Sequence, residues 1–168
     1  MHTHKVHTKR LILTALFAAL IFVSIIFFHI PNGFGGVIHF GDALIFIAAT
    51  ILPFPYALFA AAIGAGMFNL VRVPIWLPFT IVIKPIMTLC FTSKGNRILG
   101  SKRNSIAPFA AAAINTILYF GANIILFDWY AAVGALTPLV IQGVGSIVFY
   151  FVIAYAVDRI GLKARLNI

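Results

Sequence analysis

Three stretches of this chain, Leu11–Phe28, Ile106–Phe127 and Thr137–Val157, contain no Asp, Glu, Lys or Arg at all. Wound as helices, each is long enough to cross a hydrocarbon layer of roughly 30 Å. Lipid offers no hydrogen bonds, so a segment surrounded by it must satisfy its own backbone N–H and C=O groups, and a helix does that within one segment. Composition points the same way: 62% of residues are hydrophobic and 9% charged, too few polar groups to coat a water-soluble globule. The expected fold is an all-α polytopic membrane protein, a single transmembrane domain over residues 1–168.

Shorter apolar runs fill the space between the long ones. A second helix is expected from near Ile38–Asp42 to Leu52, where Pro53-Phe54-Pro55 stops it. Tyr56–Val71 gives a third and Phe79–Thr92 a fourth, with Lys84-Pro85 inside it. These segments are short for full spans, so residues 38–71 read equally as two crossings or as one re-entrant hairpin. Counting them, the chain has about six transmembrane helices. The first apolar run follows a basic start, yet it is longer than a cleaved leader's core and no small-x-small cleavage site follows it, so it is expected to be retained.

Charge placement sets the orientation. The chain carries 12 Lys and Arg against three acidic residues. Ten of the 12 fall in the tail 1–10, the loop 93–105 and the tail 158–168, which share one face if the crossings are even in number. Only Arg72 lies opposite, and Lys84 lies within a helix. That asymmetry places both termini in the cytoplasm. The basic clusters sit where anionic lipid headgroups are, so membrane lipids are the expected neighbours and nucleic acid is not a partner. Three histidines in the first tail read as part of a solvated, lipid-facing segment. The lone Cys90 excludes an internal disulfide and a cysteine-built metal site, and reads as a small hydrophobe.

One segment breaks the apolar pattern. Ile30–Ala43, IPNGFGGVIHFGDA, gathers four glycines, His39 and Asp42 between two apolar runs. Irregular backbone of this kind is tolerated only at the surface or around a cavity. The reading is an outer loop that closes over a small ligand.

Catalytic signatures are missing: no HExxH, Walker or GxSxG pattern occurs, and Asp42, Asp128 and Asp158 are the only carboxylates. His29, His39 and Asp42 are the one set that an acid–base or metal site would draw on; no catalytic or metal-binding residue is assigned. Polar residues suited to binding are better supplied. Asp42 reads as a helix cap, a structural partner or a ligand contact. Asn69 and Arg72, three apart, share a helix face; Arg72 also fits a side chain snorkelling to headgroups. Lys84 is costly at membrane depth and must face a cavity, pair with Asp42 or snorkel. Asn115, Tyr119 and Asn123 form a stripe at four-residue spacing, and Gln142 lies in the sixth helix. Such groups serve either a ligand or contacts between helices. Trp129 and Tyr130 read as interfacial aromatics. On the first helix, Ala15 and Ala19 form a small-xxx-small pair, suited to packing within the chain or to docking another helix.

Taken together, the Ala15-xxx-Ala19 helix, the glycine-rich loop leading into HFGDALIFIAA at 39–49, AAAIGAGMFNLV at 60–71, TIVIKPIM at 80–87 and the basic loop resemble the substrate-binding S-components of energy-coupling-factor (ECF) vitamin transporters. The likeness is nearest to the branch that includes pyridoxine and hydroxymethylpyrimidine transporters. It implies a six-helix, multi-pass subunit of a prokaryotic inner membrane that captures a vitamin or precursor outside and is not an enzyme. It implies as partners a transmembrane coupling protein and two cytoplasmic ATPases, with no cofactor in this chain because ATP is hydrolysed by those partners. Carried over residue by residue, the likeness places the ligand among Gly35, Gly36, His39, Asp42, Asn69, Arg72, Lys84, Asn123 and Gln142, and the coupling-protein contact at Ala15 and Ala19. The competing readings are a scaffold whose polar stripe only joins helices, and a small intramembrane enzyme using His39 and Asp42.

Overall fold

The computed structural model describes residues 2–31 and 37–166. Helix α1 spans His2–Phe27, a hairpin of strands β1 (His29–Pro31) and β2 (Val37–His39) follows, and α2 covers Gly41–Ile51. Helix α3 is Tyr56–Arg72, and a single 3₁₀ turn at Pro74–Trp76 leads into α4 at Leu77–Thr88. Helices α5 (Lys102–Leu126), α6 (Trp129–Arg159) and the short α7 (Leu162–Leu166) complete the chain. Among the described residues three helices are long and apolar enough to span a membrane, at Val6–Phe27, Lys102–Leu126 and Trp129–Arg159, and three apolar ones are shorter. The architecture is that of an all-α polytopic membrane protein.

The bundle is apolar outside and holds its polar groups within. Leu16, Leu70, Ile117, Ile125 and Val152 are exposed, whereas Asp42, Asn69, Lys84, Asn104, Asn115 and Gln142 are buried. Lipid tails are as apolar as Leu, so outward Leu and Ile cost nothing, and buried polar groups join the helices. Helix α2 is the hub. Ten of its eleven residues are buried, as expected of a helix that is apolar all round. Its Phe46 ring stacks on Phe91 at 5.1 Å and meets Tyr150 edge-on at 6.0 Å. Helix α3 lies directly on α1: a Cβ at Gly64 would come within 2.7 Å of the Ala18 carbonyl oxygen, so only glycine permits this approach.

The structure decides between the two readings of 38–71. Tyr56, at the α2–α3 turn, bonds His7 and lies 5.9 Å beneath the Arg10 guanidinium. The turn therefore reaches the basic end of the bundle, so α2 and α3 run toward that end and back rather than turning midway. Helix α2 spans only about 16 Å, and the β1–β2 hairpin precedes it. The hairpin pairs His29 with His39, Ile30 with Ile38 and Pro31 with Val37, so the flanks of the expected irregular loop satisfy much of their backbone in a ladder. Gly35 and Gly36 lie outside the described residues.

Three sequence expectations are corrected. Helix α1 does not begin at Leu11 but runs back to His2, since nothing in the tail breaks a helix. Its Lys9 ammonium donates to the Leu166 carbonyl, so the tail is docked rather than merely solvated. Helix α4 stops at Thr88, short of Thr92, and the Arg103 guanidinium binds the carbonyls of Leu89 and Cys90 at 2.5 and 2.8 Å. Helix α6 begins at Trp129, not Thr137, because the Asp128 carboxylate accepts from the Ala131 N–H at 2.7 Å and caps it. Pro138 then lies inside the helix rather than before it.

At the basic end the 89–101 loop is tied down from two sides. Asn104 accepts from the Thr92 N–H at 2.9 Å and donates to the carbonyls of Thr92 and Ile98, each at 3.0 Å. Asp158 accepts from the Ile98 and Leu99 N–H groups at 2.6 and 2.8 Å. In α7 burial pulls the Lys163 ammonium below its usual pKa, with the Asp158 charge opposing that shift.

Candidate functional site

Away from the basic end, helices α2 to α6 line an open cavity of about 460 Å³. Its floor is an ion pair between α2 and α4. Lys84 enters from the middle of α4, one turn after Thr80, and its ammonium donates to Asp42 Oδ1 at 2.6 Å and to Asn115 Oδ1 of α5 at 2.9 Å. Asp42 is 2% and Lys84 6% exposed, so the pair is desolvated and each charge needs the other. The cap position of α2 falls to Phe40, without a side-chain bond. Asp42 is therefore free of capping duty and turned to its charged partner.

Gln142 of α6 stitches the floor to the hairpin. Its Oε1 accepts the His39 N–H at 3.1 Å. Its Nε2 lies 3.4 Å from Asp42 Oδ2, 3.3 Å from the His39 carbonyl and 3.2 Å from Ser146 Oγ. Where α2 begins, a Cβ at Gly41 would collide with the Ile25 side chain at 2.4 Å, so glycine lets the hairpin turn tightly into α2 beside α1.

The wall is a second hydrogen-bonded chain. Asn69 of α3 donates to Thr80 Oγ1, which shares a hydrogen bond with Tyr119 Oη at 2.6 Å. The Tyr119 ring lies 5.1 Å from the Lys84 ammonium, within cation–π range, so wall and floor meet there. Trp76 stands 5.7 Å from Tyr119 and 6.1 Å from Phe127, ring centre to ring centre. Asn123 donates to the Tyr119 carbonyl at 2.8 Å. Flat aromatic surface thus lies beside a row of neutral hydrogen-bonding groups. Such a combination holds a planar heterocycle by its faces and orients it by its edges.

The structure brings His39, Asp42, Asn69, Lys84, Asn123 and Gln142 to this one cavity. Arg72 is not among the lining residues; it is exposed at the end of α3. Sequence reading named Asn115 and Tyr119 as a stripe without assigning them to a site, and both line the cavity. It missed Phe68, Thr80, Trp76, Gly134 and Pro138. One signal was available: Thr80, four residues before Lys84, shares its helix face. The Gly134 and Pro138 contribution depended on seeing α6 continue past Pro138. On α1, Ala18 packs inward against Gly64, whereas Ala15 and Ala19 face outward and are exposed.

The family profile described as ECF-type riboflavin transporter, S component, matches residues 5–159. That range takes in α1 from residue 5, all of α2 to α6 and the whole cavity lining. No curated protein matches the chain at a significant level. A profile that covers nearly the entire chain leads to one conclusion: the chain belongs to the family of ECF-type riboflavin transporter S components.

Proposed function

We propose that this protein captures a flavin-type tricyclic vitamin, riboflavin or a close relative, in the cavity above the Asp42–Lys84 pair. At the coarser level the family fixes the role: a substrate-binding subunit of an ECF importer in the cell membrane, and not an enzyme. The observation that carries the finer reading is the cavity itself. Its 460 Å³ falls within the range of pockets that hold drug-sized ligands, about 300–1,000 Å³. A single-ring ligand such as pyridoxine or hydroxymethylpyrimidine would leave much of that space empty and reach only part of the polar lining. A tricycle can lie along Trp76 and Tyr119 with its edges toward Asn69, Thr80 and Asn123. The resemblance of the HFGDA segment to the pyridoxine and hydroxymethylpyrimidine branch keeps those compounds in the test as competitors.

The partners follow from the same role. A membrane coupling component and ATPases supply the energy; we place the coupling contact on the exposed Ala15–Ala19 face, where a second helix backbone can approach closely. ATP is then hydrolysed outside this chain. The experiment is a ligand survey on the detergent-purified subunit: mass spectrometry of co-purified small molecules, then fluorescence-quenching titration with riboflavin and thermal-shift assays with pyridoxine and hydroxymethylpyrimidine. Saturable riboflavin binding, tighter than that of either single-ring compound, supports the reading. Preference for a single-ring compound moves the substrate, and no ligand of any kind removes the capture role.

A further inference from the structure

The last turns of α6 and the 89–101 loop border an open cleft of about 380 Å³, lined by Arg97, Leu99, Gly100, Tyr155, Asp158 and Arg159. Its one carboxylate is already engaged. Asp158 accepts from the Ile98 and Leu99 N–H groups at 2.6 and 2.8 Å, and the buried Lys163 ammonium feels its charge. The arginines are not engaged. Among the described residues the only ion pair is Asp42–Lys84, and both Arg97 and Arg159 are exposed. Two guanidinium groups, each a planar fork of donors, thus border one cleft with no carboxylate partner among the described residues. A Cβ at Gly100 would come within 3.2 Å of the Arg97 Cβ, so glycine keeps the space beside Arg97 open.

The same face of α6 continues away from the cleft as apolar surface. Val144, Val148, Val152, Tyr155 and Arg159 follow at three- or four-residue steps and so form one row, and all five are exposed. At its far end Val144 borders an apolar groove of about 330 Å³ between α5 and α6. Helix α6 has 31 residues, about 46 Å at 1.5 Å per residue, and a hydrocarbon core takes roughly 30 Å. Measured from Trp129 at its start, the helix therefore reaches the opposite headgroups near Tyr155, where an amphipathic aromatic settles.

We propose that this cleft binds an anionic phospholipid of the cytoplasmic leaflet, with its phosphate between Arg97 and Arg159 and an acyl chain along the row from Val152 to Val144. Arginine forks match phosphate oxygens in pairs, and basic pockets between helices on the cytoplasmic side suit lipid headgroups. A free phosphate would meet the same guanidinium groups but gain nothing from the apolar row, so the row selects the lipid. The inference stands independently of the ligand in the cavity among α2 to α6.

The test is native mass spectrometry and thermal melting of the full chain in detergent, with phosphatidylglycerol or phosphatidylcholine of matched acyl chains added. The wild type retains phosphatidylglycerol over phosphatidylcholine by about tenfold, and its Tm rises with the first lipid only. Arg97→Gln combined with Arg159→Gln brings the two lipids level. Lys94→Gln combined with Lys102→Gln removes as much charge from the same end, outside the cleft lining, and keeps the preference. All four side chains are exposed, so both double variants fold, and melting without added lipid checks this. Equal retention of the two lipids by the wild type, an unchanged preference in the arginine variant, or an equal loss in the lysine variant overturns the inference. So does a Tm that rises as much with inorganic phosphate as with phosphatidylglycerol, which makes the cleft a site for the free ion. An arginine variant that keeps the lipid preference but no longer co-purifies with the coupling partner also overturns it, and assigns the cleft to that protein.

Discussion

The two ends of the bundle use the same residue types to opposite ends. At the basic end Asn104 makes three hydrogen bonds, all to backbone groups of the 92–98 loop, and Asp158 gives both oxygens to backbone N–H groups. Both side chains there are spent on holding the loop. At the cavity end Asp42 is held by a lysine, and Asn69, Thr80 and Tyr119 are linked side chain to side chain along the edge of a void. Asparagine or aspartate bonded to backbone fixes a loop; the same group bonded sideways to other side chains, with space beside it, retains capacity for a ligand. The difference separates structural polarity from binding polarity in one small protein.

The largest effect expected from breaking that comparison is at the ion pair. Lys84→Ala or Asp42→Ala leaves an unpaired buried charge and should cost about 3–5 kcal/mol of stability, read as a drop in Tm in detergent, with ligand binding lost. Asn104→Ala comes next. It should cost about 1–3 kcal/mol by orphaning the Thr92 N–H and two carbonyls, yet leave the ligand dissociation constant of the folded fraction unchanged. Thr80→Val should show the reverse pattern, with affinity weakened about tenfold by loss of one lining hydroxyl and a smaller change in Tm. Smallest for this chain alone is Ala19→Trp: ligand affinity and Tm stay at wild-type values in detergent, because Ala19 is exposed, while uptake in cells and co-purification with the coupling partner are lost.

Much of this plan was legible in the residues, and the parts that were not have physical reasons. Charge-free runs and clustered Lys and Arg announce spans and their orientation, because burying charge in lipid is costly wherever it occurs. Lys84 was legible for the same reason: a lysine at mid-helix demands a partner, and Asp42 was a named candidate. The start of α6 was not legible. Gly134 and Pro138 look like breakers by the rules of soluble helices, but within a membrane bundle neighbouring groups re-satisfy the backbone that proline frees. Nor was the hairpin, whose three-residue strands are too short to show an alternating pattern. Trp76 was ambiguous at its root, since an aromatic at a membrane boundary and one at a pocket mouth occupy the same kind of place in the sequence. Only tertiary packing, which sets Trp76 beside Tyr119, tells them apart.

The most direct test of the central claim, that the cavity among α2 to α6 is the ligand site, fills that space without disturbing the fold. Gly134 lines the cavity, and a Cβ built there meets nothing within 4 Å; Gly121 is equally unobstructed but lies outside the lining. Riboflavin quenching should therefore disappear in Gly134→Phe, with Tm retained, and remain at full strength in Gly121→Phe. Undiminished riboflavin affinity in a folded Gly134→Phe chain would contradict the account.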